Sequence, residues 1–199
     1  MFKIWLMRGV STVVLAVLLM NILATPPFVW SLQQLSNVVE KPEISTEKRQ
    51  KVTKESLTLV WLGSASTHNL TEDEQKHMLD VHQVFRLLWI EAGGAFIVIF
   101  GLREFIEMRQ VWTVRLANIL SGVLIGCALV GVAGFSMFFE FFHKVFFPQG
   151  NYSFPIDSAL IQTFPLSFWI TAFTGLILGF ILSIQVLARV FNRRIPPAV

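Results

Sequence analysis

The sequence predicts an all-α membrane protein: four transmembrane helices with a small extracytoplasmic domain containing some strand and an amphipathic helix. Three observations carry that prediction. Hydrophobic residues make up 54% of the 199 and charged residues only 15%, whereas a soluble domain carries about 25% charged residues. Four apolar stretches are each long enough to cross a hydrocarbon core, which takes about 20 helical residues. Basic residues gather at the ends of those stretches, the asymmetry that sets membrane topology. That clustering accounts for the net charge of +3, so membrane lipid and not nucleic acid is the expected surrounding.

The chain reads as one membrane domain, residues 1–199, with spans at about 10–30, 84–102, 116–142 and 164–188. Backbone groups in lipid must bond internally, which makes helices the default for all four. Lys3 and Arg8 ahead of an apolar core resemble the start of a signal peptide. The run continues past Ala24 to Trp30, and Pro26 and Pro27 follow Ala24-Thr25 directly, so an uncleaved anchor is expected. Arg103, Arg109 and Arg115 sit in the tight loop after the second span, and Arg189, Arg193 and Arg194 in the C-terminal tail. With Lys3 and Arg8 they put both ends of the chain on the cytoplasmic side. Residues 31–85 then form an extracytoplasmic loop domain and residues 144–163 a second extracytoplasmic loop.

Within the first loop, Val52, Leu57, Leu59 and Trp61 suggest a strand over Lys51–Trp61. Thr71 followed by Glu74 fits a capping box, in which each side chain satisfies a free backbone N–H. Met78, Val81 and Phe85 then recur at helical spacing, so this helix is expected to run on into the second span. Pro148, Gly150 and Pro155 keep the second loop from being a single helix. Gly122 with Gly126, and Gly175 with Gly179, form small-xxx-small pairs that would let the third and fourth spans approach closely. The single cysteine, Cys127, excludes an intramolecular disulfide and reads as packing.

The chemistry-bearing residues concentrate at one membrane face. His77 and Asp80 are three residues apart on one helix face, and Glu140 and His143 have the same spacing at the outer end of the third span. A carboxylate beside each imidazole is an arrangement suited to acid–base catalysis. The ordinary alternative is that a histidine at the interface is an amphipathic anchor. Glu91 lies within the second span, where an ionisable group is costly and a candidate for function unless it reaches back to the surface. His68 and His82 have weaker claims. A zinc site built from His77, Asp80, His143 and Glu140 lacks any standard ligand spacing, so neither metal nor cofactor is expected. The sequence has no GxSxG and no phosphate-cradling glycine loop. From these residues alone an enzyme, a small transporter or assembly factor using Glu91 and the histidines as a proton relay, and a metal-dependent membrane hydrolase all remain open.

The stretch from His143 through Pro148-Gln149-Gly150-Asn151-Tyr152-Ser153-Phe154 to Asp157-Ser158, then Phe164-Pro165 and Phe168-Trp169, resembles a bacterial membrane family of about this length. Leu70-Thr71-Glu72 followed by His77-Met78-Leu79-Asp80-Val81 resembles its second block. The family is the lipoprotein intramolecular transacylases, and the likeness extends to the four-span layout. It usually carries tryptophan where Tyr152 stands, a departure that keeps an aromatic ring. The resemblance implies transfer of the sn-2 acyl chain of a diacylglyceryl-modified lipoprotein to the α-amine of its N-terminal cysteine, giving the lyso form. It implies bacterial lipoproteins as substrate partners and His77 and His143 as the catalytic residues. Asp80, Glu91, Glu140, Asn151, Tyr152 and Asp157 are then expected to bind substrate or support the site.

Overall fold

The computed structural model describes residues 2–37, 43–102 and 111–192. In chain order the described helices are α1 (Phe2–Leu23), α2 (Pro26–Ser36), α3 (Thr46–Leu62), α4 (Glu72–Leu102), α5 (Val114–Ala133), α6 (Phe135–Phe146), α7 (Ala159–Thr163) and α8 (Leu166–Phe191). Four of them, α1, α4, α5 and α8, are long and apolar enough to cross a membrane. Arg103, Arg109, Arg193 and Arg194 lie outside the described residues.

Local chemistry explains the breaks. The first apolar run divides at Ala24-Thr25, because Pro26 and Pro27 lack the N–H that would continue α1 but suit the first turn of a new helix. The indole N–H of Trp61 donates to the Ala24 carbonyl at the corner, 3.2 Å away. The third apolar run divides at Gly134, which ends α5 and begins α6.

The expected strand at Lys51–Trp61 is not formed, and the described residues hold helices and no strand. Ser45 caps α3 by accepting the Lys48 N–H at 3.2 Å, and Gly63 ends it with φ +68°. The buried residues Val52, Ser56, Leu59 and Val60 recur at helical spacing. The alternation of Leu57, Leu59 and Trp61 mimicked a strand only over the last turns.

Helix α4 packs on α1, α1 on α8, and α8 on α5, while α3 lies against α4 and α7, and α2 against α8. The four long helices thus form a row. Its end members, α4 and α5, do not pack along each other among the described residues. One core joins the row to the cap made by α2, α3 and α7, around Val52, Leu59, Met78, Leu160, Phe164 and Phe168. A second, around Met7, Val111, Trp112 and Ile184, closes the opposite end. There Arg8 donates to the Val111 carbonyl and Asn192 to the Trp112 carbonyl.

The glycine pairs do not seat α5 on α8. A Cβ added at Gly122, Gly126 or Gly175 would meet nothing within 4 Å, and one at Gly179 would meet Leu19 of α1. The close approach is instead at Gly131, where a Cβ would come within 3.1 Å of Phe173. Between α5 and α8, Gln185 donates to Ser121 and Asn118.

Candidate active site

His77 lies in the second turn of α4, whose start is fixed by the expected capping box. The Thr71 N–H donates to Glu74 Oε2 at 2.8 Å and the Glu74 N–H to Thr71 Oγ1 at 3.3 Å. As expected, α4 continues without interruption into the second span. His143 lies in the last turn of α6. Both histidines are buried. Their rings face each other with centroids 6.0 Å apart and planes 25° apart. Aromatic side chains enclose them. Phe147 lies 4.9 Å from the His77 ring and 5.5 Å from that of His143. Phe154 covers His77, and Phe139 and Tyr152 cover His143.

The two imidazoles are not equivalent. His143 Nδ1 lies 2.7 Å from the Phe139 carbonyl oxygen. A carbonyl only accepts, so Nδ1 carries the proton and the lone pair of the neutral ring sits on Nε2. Burial holds the His143 pKa below its ordinary value of 6.5, against the opposite pull of the Phe139 carbonyl. His77 Nδ1 is buried with no hydrogen-bond partner among the described residues, so none of them fixes the tautomer through that nitrogen.

Asp80 remains near enough for its charge to act on His77, whereas Glu140 takes another partner than His143. Asp80 makes no hydrogen bond to His77; it accepts from Gln149 Nε2 at 2.8 Å and from Asn151 Nδ2. It therefore fastens the segment after α6 onto α4. Glu140 turns away from His143 and pairs with Lys144 at 2.7 Å in an exposed ion pair. Glu91 is exposed on α4, eleven residues beyond Asp80 and so on the same flank, about 16 Å along the axis. Asp157 is exposed and lines a cavity of about 600 Å³ together with Asn151, Ser153, Phe154, Thr71 and Glu74.

The structure thus brings His77, His143, Asp80, Asn151 and Tyr152 together, with Asp157 at the adjoining cavity and Glu91 and Glu140 apart. His68 meets Ser66 in an exposed loop, and His82 Nδ1 bonds the Val60 carbonyl oxygen, so neither joins the pair. No three His, Cys, Asp or Glu among the described residues stand close enough to hold a metal ion together, which leaves the zinc alternative without a ligand set there. Phe147 and Phe154 lie in the block that carries the family likeness and Glu74 in the capping box, but the sequence assigns no contact to either ring or to the second oxygen of Glu74, because those partners are remote in the chain.

The family model described as "Lipoprotein intramolecular transacylase Lit" matches residues 4–169 of the chain. The solved in meso structure of the membrane integral lipoprotein intramolecular transacylase Lit from Bacillus cereus is similar, with a TM-score of 0.72 at 15% identity. The likeness covers 95% of this chain and 92% of that one. No curated protein matches the chain.

Proposed function

Because this chain belongs to the lipoprotein intramolecular transacylase family, we propose the specific transfer that its histidine pair performs. The sn-2 acyl chain of a diacylglyceryl-modified lipoprotein moves to the α-amine of the N-terminal cysteine of the same molecule. A monoacylglyceryl, N-acyl lyso form remains. The observation that carries this reading is the meeting of His77 and His143 in one aromatic cage.

Donor ester and acceptor amine belong to one substrate, so the enzyme needs no nucleophile of its own. Holding them in attack geometry is worth about 7–11 kcal/mol. The amine nitrogen bonds the ester carbonyl carbon as its proton passes to His143 Nε2, the lone pair left available by the bond from Nδ1 to Phe139. His77, whose ring faces that of His143 across the cage, donates to the carbonyl oxygen as negative charge develops there. The carbon–oxygen bond to the glyceryl group then breaks, and His143 returns the same proton to the departing oxygen. The cycle is proton-neutral. Tyr152, against the His143 ring, and Asn151, held by Asp80, orient substrate at the cage. Asp157 borders the adjoining cavity, which offers room for the polypeptide after the modified cysteine.

The reading sets the cage on the extracytoplasmic side and both ends of the chain in the cytoplasm. Supporting this, the start of α1 with Lys3 and Arg8, the start of α5 with Arg115 and the end of α8 with Arg189 share the end of the row opposite the cage. Bilayer lipid surrounds the row, and no nucleic acid takes part.

The test is mass spectrometry of lipoprotein N-terminal peptides from a bacterial host that lacks such an enzyme, with and without this chain. The expected product has the mass of the diacylglyceryl peptide, with one acyl group on nitrogen. An unchanged diacylglyceryl peptide beside well-expressed, membrane-inserted protein would overturn the proposal.

A further inference from the structure

We infer that Glu74 is a positioning residue for the histidine pair: its carboxylate ties the end of α4 that carries His77 to the start of α7, and so holds the segment caging both rings in place. The inference rests on the reaction proposed above.

Glu74 stands one turn before His77 and is 1% exposed. A capping box occupies one carboxylate oxygen, here Oε2, on the Thr71 N–H. The other oxygen, Oε1, reaches across the fold and accepts the Leu160 N–H in the first turn of α7 at 2.8 Å. This second bond goes beyond what a helix start requires.

Its consequence follows from what lies between α6 and α7. Phe147, Tyr152 and Phe154 all touch the histidine rings. They sit on a stretch of turns without a helix of its own, bounded by Phe146 and Ala159. Such a stretch is positioned by whatever it is fastened to. Asp80 fastens it at Gln149 and Asn151, and Glu74 fastens its far end at Leu160. Glu74, His77 and Asp80 are spaced three and three, so they form one stripe on α4. The outer two hold the segment down over the ring between them. Releasing Glu74 frees the Phe154 side of the cage from α4.

The experiment compares the full chain with Glu74→Ala, Glu74→Gln and Thr71→Ala, each purified in lipid and given a synthetic diacylglyceryl lipopeptide. Thr71→Ala removes the hydroxyl half of the capping box but leaves both carboxylate bonds. Glu74→Ala is expected to lower kcat by about tenfold or more with KM little changed, the size of loss that small misplacement of catalytic groups produces. Its acidic pH limb should move up towards the value of an ordinary exposed histidine. Glu74→Gln, which keeps one accepting oxygen, should recover part of kcat, and it carries the test if Glu74→Ala does not fold. Thr71→Ala should keep the wild-type labelling rate of the two rings, since it leaves the bond from Leu160 to Glu74 intact. Independently of turnover, diethylpyrocarbonate should label His77 and His143 faster in the Glu74 variants. A wild-type kcat, pH limb and labelling rate in both Glu74 variants would overturn the inference and leave Glu74 as a cap alone. A wild-type protein that yields no lyso product, but whose rings label faster when Glu74 is changed, would sink the reaction and keep the clamp.

Discussion

The imidazoles of His77 and His143 lie nearly parallel, 6.0 Å between centroids, yet only His143 has its proton fixed by the protein, through Nδ1 and the Phe139 carbonyl. In the proposed reaction the difference gives the two residues separable roles. His143→Ala removes the base and should lower turnover by about 10²–10⁴-fold. His77→Ala removes a donor to the developing oxyanion and should lower it by about 10²–10³-fold. Single-turnover assays followed by mass spectrometry measure both. Full activity in either variant would rule out the role assigned to that residue.

Acid should switch the enzyme off through His143. Only its neutral ring accepts the amine proton, and burial lowers its pKa. The histidine-linked limb of kcat should therefore have its midpoint below 6.5, apart from titration of the substrate amine near pH 8. The limb should persist in His77→Ala and vanish in the residual rate of His143→Ala. The same shift bears on stability. The unfolded chain takes up a proton at the ordinary value of 6.5, where the folded ring resists it. Stability from this group is thus fully present above 6.5 and is lost as the pH falls through the lower folded value. Thermal unfolding across that range checks the sign.

Asp80→Ala strips the acceptor from Gln149 and Asn151. Hydrogen bonds to a charged group contribute about 1.5–3 kcal/mol each before solvent screening of this half-buried site. Turnover should fall about ten- to hundredfold as the cage loosens, and less in Asp80→Asn, which keeps one oxygen. Amide hydrogen exchange should speed up around residues 148–155. Slow exchange and full turnover in Asp80→Ala would show that the segment is held by other contacts.

Gly63→Ala should destabilise the cap without touching the chemistry. Gly63 has φ +68°, and an added Cβ would fall 2.8 Å from His82 Nε2. A left-handed alanine costs about 1–2 kcal/mol, and His82 must also shift while its other ring nitrogen is bonded to Val60. A lower Tm with unchanged kcat per folded molecule is the expected pair of readings.

The spans were legible because lipid tolerates few alternatives to an apolar helix, and the start of α4 because Thr71 and Glu74 advertise a local bond. His77 and His143 could be picked out by residue type, position and family likeness. Asp80 was noticed for His77, whose ring feels its charge, and not for its hydrogen bonds. Helical spacing suggests His77, whereas its partners Gln149 and Asn151 come from a distant part of the chain. The second bond of Glu74, to Leu160, was hidden for the same reason. The Lys51–Trp61 misreading came from weighing three alternating residues above the Ser45 cap and the Gly63 stop that bracket a helix. At the glycines, spacing alone cannot say which way a helix face points, and it is Gly131 that meets Phe173.

Among the described residues the row of four long helices is not closed into a ring, since its end members α4 and α5 do not pack along each other. For the proposed reaction this open side lets a two-tailed substrate enter sideways from its leaflet, without pulling its tails through water. The quantity that governs encounter becomes substrate per unit of bilayer area. Adding inert phospholipid to a reconstituted preparation should then slow the reaction while the bulk concentrations of enzyme and substrate stay the same.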